Sequence, residues 1–194
     1  IIILSLSILI NTFVFFIFES LENKIINSNI DTYGAHHAII FNIKDEQYDG
    51  LKQENYIDEI CKLNISKEYQ LESNEKIIIS NFDSQMLNSI NLKLEKGNWP
   101  NNNNEIVIEE SKLSSLYTDY SVGDSIKIIS DNGIEKTFKL SGIIKNYSGY
   151  YNIAVENNNL LPQAFVCSLP YSSVTYSNAV IKLKKFDESN IYDI

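Results

Sequence analysis

The chain has 194 residues, 44% of them hydrophobic and 21% charged, with a net charge of −9. This is a globular composition and not that of a disordered polymer, and the length suits one ordinary domain or two small lobes around a shared core. Its basic residues are scattered and form no basic block, so no nucleic-acid partner is expected.

Residues 1–18, IIILSLSILINTFVFFIF, carry no charge. As a helix they would span about 27 Å, close to the roughly 30 Å of a bilayer core. The spacing predicts a transmembrane helix, truncated at its front because the chain begins with Ile. A signal peptide and a buried core helix are the competing readings; the run ends without an A-x-A-like cleavage site. Glu19, Glu22 and Lys24 give a slightly negative flank, which places the residues after about 19 on the extracytoplasmic side of the cell membrane. Phe18, Leu21 and Ile25 continue at helical spacing, so residues 19–32 read as a stalk or linker that ends between Asp31 and Gly34.

HHAIIFNI, residues 36–43, predicts a strand covered on both faces. His36 and His37 are neighbours, and strand neighbours point apart, so no shared metal ion is expected. In the stretch that follows, Ile57, Ile60, Cys61 and Asn64 share one helical face, with Tyr48 and Leu51 upstream and Gly50 at the entry, predicting a helix. Residues 67–71 and 76–80 read as short strands. Cys61 and Cys167 stand outside any C-x-x-C pair; two buried free thiols are expected, with pairing left open.

"GNWPNNNNEIVIEE", residues 97–110, joins a turn-rich phrase to an alternating one. Pro100 fixes φ and asparagine tolerates turn conformations, so the run reads as a β-connection that delivers Glu105 to Ile108 into a sheet. The functional alternative is a carbohydrate or peptide contact through the amides. Trp99 reads as a packed aromatic, Glu105 as a cap on nearby backbone amides, and Glu109 with Glu110 as a solvated edge. Residues 111–120 predict a short helix with Leu113 and Leu116 on one side. Asp131-Asn132-Gly133 between alternating runs predicts a type I′ hairpin, with Ile134, Phe138 and Leu140 on one face. Two more strands follow at residues 163–170 and 178–186, Ala179, Ile181 and Leu183 alternating in the second. Residues 187–190, DESN, carry capping groups for a terminal helix. The asparagine clusters at 101–104 and 157–159 read as loop tips.

This order of parts resembles the outer domain of MacB/FtsX-like ABC transporter permeases. The likeness rests on Gly97, Trp99, Pro100, Asn104 and Glu105 leading into an Ile/Val strand. It rests also on Gly123-Asp124 before the next strand, and on Gly142 closing "KTFKLSGII". The resemblance implies an α+β, two-lobed extracytoplasmic domain behind a transmembrane helix. One lobe, residues 33–75 with 163–194, would be a sheet with helices on one face; residues 76–162 would be a β-rich inserted lobe. It implies no enzyme in this chain, since ATP would be hydrolysed by a separate cytoplasmic ABC ATPase. The expected partners are that ATPase, a second permease subunit or half, and membrane lipid. The function implied is coupling of that hydrolysis to movement outside, for export or extraction of peptide- or lipid-type substrates, with Ile17, Leu21 and Ile25 as the stalk's coupling face. No G-x-S-x-G, H-E-x-x-H or P-loop occurs, and no cofactor or metal is expected. Two rivals stand beside this reading: a membrane-anchored sensor or binding domain of a signalling receptor, and a secreted enzyme.

Overall fold

The chain begins as one continuous helix, α1 (Ile2–Tyr33), of 32 residues. At 1.5 Å per residue it is about 48 Å long. The computed structural model describes residues 2–72, 75–116, 119–130, 133–151, 161–169 and 174–184. From Ile10 to Phe18 the side chains of α1 are exposed on every side, with Phe13 at 65% and Phe18 at 67%. The helix ends where the sequence places its end, before Gly34. Among the described residues no helix is long and apolar enough to cross a membrane.

Behind α1 the described strands form one mixed sheet. They are β1 (Ala38–Ile40), β2 (Ile57–Leu71), β3 (Lys76–Asn81), β4 (Leu94–Gly97), β5 (Glu105–Glu109), β6 (Ser125–Ser130), β7 (Glu135–Ile144), β8 (Ala164–Val166) and β9 (Tyr176–Leu183). The helices α2 (Asp45–Lys52), α3 (Met86–Ser89) and α4 (Glu110–Ser114) and a 3₁₀ turn at Ser148–Tyr151 complete the fold. The class is therefore α+β: a helix followed by a mixed sheet with helices.

The sheet runs β1-β9-β2-β3-β8-β5-β7-β4, and β6 joins β7 back to the end of β2. Pairing therefore closes a ring, β2-β3-β8-β5-β7-β6-β2. One apolar cluster draws on all six strands, including Leu71, Ile77, Ile106, Ile126, Leu140 and Ala164, so it fills the ring. A second cluster uses the alternate residues Ile78, Val107, Ile144 and Phe165 on the outer face, where Met86 and Ile90 of α3 and its exit cover them. Strand alternation thus feeds two cores from the same strands. Each fully buried Ile or Leu contributes roughly 1.5–3 kcal/mol.

Several expectations change. The helix expected through Ile57, Ile60, Cys61 and Asn64 is strand β2; only α2 is helical there, and Gly50 lies inside it. The cause is a bulge between Ile57 and Glu59, which turns Asp58 and Glu59 both outward and masks the alternation of buried Cys61, Leu63 and Ile65. The strand expected over 36–43 is confined to Ala38–Ile40, because Asn42 takes a φ of 56°. Helices cover both faces of the β1-β9-β2 wing, not one. Val180 faces the cluster under α3, while Ile181 and Leu183 face Leu51 of α2, so both sides are apolar. In the hairpin, β6 and β7 pair antiparallel as expected and Phe138 and Leu140 are buried, but Ile134 is 64% exposed. Glu109 is no solvated edge: it is 1% exposed. The terminal helix at 187–190 and the asparagine cluster at 157–159 lie outside the described residues.

Candidate functional site

The long helix meets the sheet domain at one place. Gly34 takes a φ of 93° and its N–H donates to Ile30 O at 2.9 Å, closing the helix. A Cβ on Gly34 would stand 2.4 Å from Ser89 O, 2.7 Å from Asn91 N and 2.8 Å from Ile90 Cα. Only glycine allows the helix end to lie against the exit of α3 at this distance.

Hydrogen bonds fasten the contact. His36 donates from its backbone N–H to Ser89 O at 3.2 Å, and its Nδ1 lies 2.7 Å from the same oxygen. A carbonyl only accepts, so Nδ1 carries the proton. Burial holds the His36 pKa below 6.5, so the ring is neutral at pH 7. Asn91 Nδ2 donates to Asp31 O, and Tyr151 Oη donates to Tyr33 O. The Tyr151 ring meets Tyr33 edge-on at 6.0 Å and lies 5.7 Å from His36. Beside this contact is an opening of about 240 Å³, lined by Asp31, Thr32, Asn91, Lys93, Lys145, Asn146 and Tyr147.

Tyr151 is held in turn by the barrel. The 3₁₀ turn that carries it begins at Ser148, whose N–H donates to Glu109 Oε1 at 3.1 Å and whose Oγ donates to Oε2 at 2.6 Å. Tyr147 N–H donates to Oε1 at 2.6 Å. Tyr147 is buried, its hydroxyl donates to Pro162 O, and burial pushes its pKa well above 10. A carboxylate that accepts three hydrogen bonds in a buried setting fixes the turn in one geometry. The route from stalk to barrel therefore reads Tyr33, Tyr151, Ser148, Glu109, β5. Nothing in it is an activated nucleophile or a general acid–base pair.

The sequence-predicted residues fall elsewhere. Ile17, Leu21 and Ile25 lie on α1 before the junction, 42%, 50% and 61% exposed. Gly97, Pro100, Asn104, Glu105, Gly123, Asp124 and Gly142 gather around β7. Gly97 pairs with Gly142, where a Cβ on Gly97 would stand 2.3 Å from Ser141 O. Pro100 is buried beside Trp99, which stacks on Phe82 at 4.8 Å. Asn104 O accepts Lys139 N–H at 2.8 Å, and Glu105 Oε2 accepts Asn101 N–H at 2.9 Å, the corner cap expected of it. Gly123 N–H donates to Leu140 O at 2.8 Å, and Asp124 Oδ2 accepts Ser121 N–H at 2.8 Å. These residues set the corners of the barrel.

The two histidines, read as unable to share an ion, turn to different partners: Leu183 N–H donates to His37 Nδ1 at 3.1 Å. Both cysteines are free thiols; Cys61 is buried as expected, while Cys167 is only partly so. Sequence reasoning missed Ser89, Asn91, Glu109 and Tyr151, and placed Gly34 only as the end of the helix. Only Gly34, a glycine behind a long helical pattern, left a local signal.

No protein-family model matches the chain, and no curated protein matches it in sequence. Solved structures do. The periplasmic region of MacB from Actinobacillus actinomycetemcomitans superposes with a TM-score of 0.51 at 16% identity, covering 85% of this chain and 83% of that one. The chain therefore shares the fold of the periplasmic region of MacB. Two further matches have a TM-score of 0.49. A domain provisionally described as a permease from Porphyromonas gingivalis is 12% identical, over 84% of this chain and 68% of that one. The extracellular domain of the noncanonic ABC-type transporter YknZ from Gram-positive bacteria is 11% identical, over 80% and 86%.

Proposed function

We propose that the chain is the first membrane helix and the extracytoplasmic domain of an ABC transporter permease subunit. In this reading residues 1–18 span the cell membrane and residues after about 19 lie outside. A cytoplasmic ABC ATPase hydrolyses ATP, a second permease subunit or half completes the transporter, and peptide- or lipid-type substrates are exported or extracted. The chain itself catalyses nothing.

The observation that carries the reading is a helix unbroken from Ile2 to Tyr33 whose far end is bonded into a MacB-like domain. Its charge-free first half shows apolar side chains on all sides from Ile10 to Phe18, as lipid favours. A helix without a break passes displacement along its axis. At its end Gly34, Asn91 and Tyr151 join that displacement to the sheet, and the Glu109 clasp hands it to the barrel. Ile17, Leu21 and Ile25 would be the face through which neighbouring helices push. The division into residues 33–75 with 163–194 and residues 76–162 belongs to the same proposal; the core of the closed ring draws on both parts, Leu71 and Ala164 from the first and Ile106 and Leu140 from the second.

The test uses the full-length protein in its own membrane. The chain should stay in the membrane pellet after alkaline extraction, protease added outside intact spheroplasts should digest the domain, and a Walker-A ATPase should co-purify. Release by alkali, or a protected domain, refutes the topology. Purification without any ATPase refutes the transporter assignment.

A further inference from the structure

Strand β2 is 15 residues long, but its partners do not cover it evenly. On one side β9 pairs with it from Ile57 to Ile65. On the other side β3 pairs with it only from Ile65 onward. The reason lies in β3. After Asn81 the chain turns away, Phe82 N–H bonding to Val166 O and Asp83 starting the turn into α3. The half of β2 before Asn64 is therefore left with a free edge among the described residues.

The direction of its main-chain groups follows from the ladder. Ile65 O faces β9, where it accepts Thr175 N–H at 2.7 Å. Asn64 N–H faces the other side, where it donates to the side chain of Asn81 at 3.1 Å. Strand residues alternate, so the N–H and C=O of Ile60 and Lys62 also face the free edge. Tyr48 Oη donates to Ile60 O at a long 3.4 Å, the nearest that any described side chain comes to satisfying them.

An open slot of about 500 Å³ lies along this edge, lined by Tyr48, Lys52, Ile57 to Ile60, Ser84 and Gln85. The wall from α2 stands over one face of the sheet, and the start of α3 over the other. A strand lying in the slot would occupy the line that β3 abandons, about 4.8 Å from β2. The surrounding charge favours a cation. Asp49 and Asp83 lie close enough to Tyr48 to act on its hydroxyl, and Asp58 and Glu59 share a single lysine, Lys182, at 2.9 and 3.5 Å. Lys62 lies over the Tyr48 ring at 5.4 Å and is paired with Asp45, so five carboxylates stand against Lys52, Lys62 and Lys182.

We propose that the free edge of β2 at Ile60 and Lys62 is a docking site for an extended, basic segment of a partner polypeptide, which joins the sheet as a short added strand. Main-chain hydrogen bonds to Ile60 and Lys62 hold it, and the acidic walls select its charge. The inference stands on the edge alone and is independent of the permease reading.

The test uses the full chain in detergent, ¹⁵N-labelled, with the acetylated and amidated heptapeptide KVKVKVK as probe. Saturable binding should slow amide exchange at Ile60 and Lys62 by roughly tenfold, as one net hydrogen bond implies. N-methylation of the peptide on alternate residues should abolish binding in one register and spare it in the other, since only one set faces β2. The acidic peptide EVEVEVE should bind more weakly. The proposal is overturned if the probe leaves those amides unprotected, if both methylated registers bind alike, or if protection appears instead along β1 or β4. Equal binding of the acidic peptide overturns the charge selection.

Discussion

Replacing Gly34 with alanine tests the junction most directly. At a φ of 93° an L side chain is strained by roughly 1–3 kcal/mol. The new Cβ also stands within 2.8 Å of three backbone atoms, Ser89 O, Asn91 N and Ile90 Cα, none of which can rotate away. Overpacking of this kind adds roughly 1–3 kcal/mol. Against that total of about 2–6 kcal/mol stand the bonds that hold the junction: Asn91 to Asp31, Tyr151 to Tyr33, and the backbone N–H and Nδ1 of His36 to Ser89. At about 0.5–1.5 kcal/mol each they sum to a similar size. Gly34→Ala should therefore part the helix from the domain while the barrel stays folded. The assay is amide exchange. The His36 N–H should exchange at least roughly 30-fold faster, corresponding to about 2 kcal/mol, with amides of β5 and β7 unchanged. Unchanged His36 protection in a folded variant would refute the argument that the close approach requires glycine.

Three further outcomes are expected. Glu109→Ala leaves three donors buried without an acceptor and should destabilise the domain by about 3–6 kcal/mol in thermal unfolding, whereas Glu109→Gln, which keeps one acceptor oxygen, should cost about 1–2 kcal/mol; equal losses would mean that the carboxylate holds nothing in particular. Burial lowers the His36 pKa below its unfolded 6.5, so the unfolded or undocked chain binds more protons on the acid side; junction stability should be full above pH 6.5 and decline as pH falls below it, and the decline between pH 7.5 and 5.5 should be smaller in His36→Gln. Burial raises the Cys61 pKa to about 12, so iodoacetamide at pH 8 should label only Cys167 in the folded protein and both thiols in guanidinium, read by mass.

Local chemistry made some of this legible. The positive φ at Gly133 follows from glycine's place in the hairpin connection, whose Asp131 and Asn132 lie outside the described residues, and the cap by Glu105 on Asn101 N–H from an acidic side chain beside a turn-rich run. Residues 57–64 misled because a bulge adds one residue to the strand, and two outward acids in a row imitate a helical face. Glu109 misled because its neighbour Glu110 is exposed, and nothing within a few residues announces the amides of Tyr147 and Ser148, 38 and 39 positions away.

By itself the sequence determined the charge-free helix, the antiparallel pairing of β6 with β7 and the connection at 100–104, because each depends on periodicity or on φ preferences within a few residues; the α+β class and the corners at Gly97 and Gly123 followed from the resemblance to a family. Tertiary structure alone decided that six strands close into a ring, that one strand feeds two cores, that β2 keeps a free edge among the described residues, and that Tyr33 rests on a residue 118 positions later. These depend on which distant segments meet. That is settled by the burial of both faces of the sheet at once, a condition no local window contains.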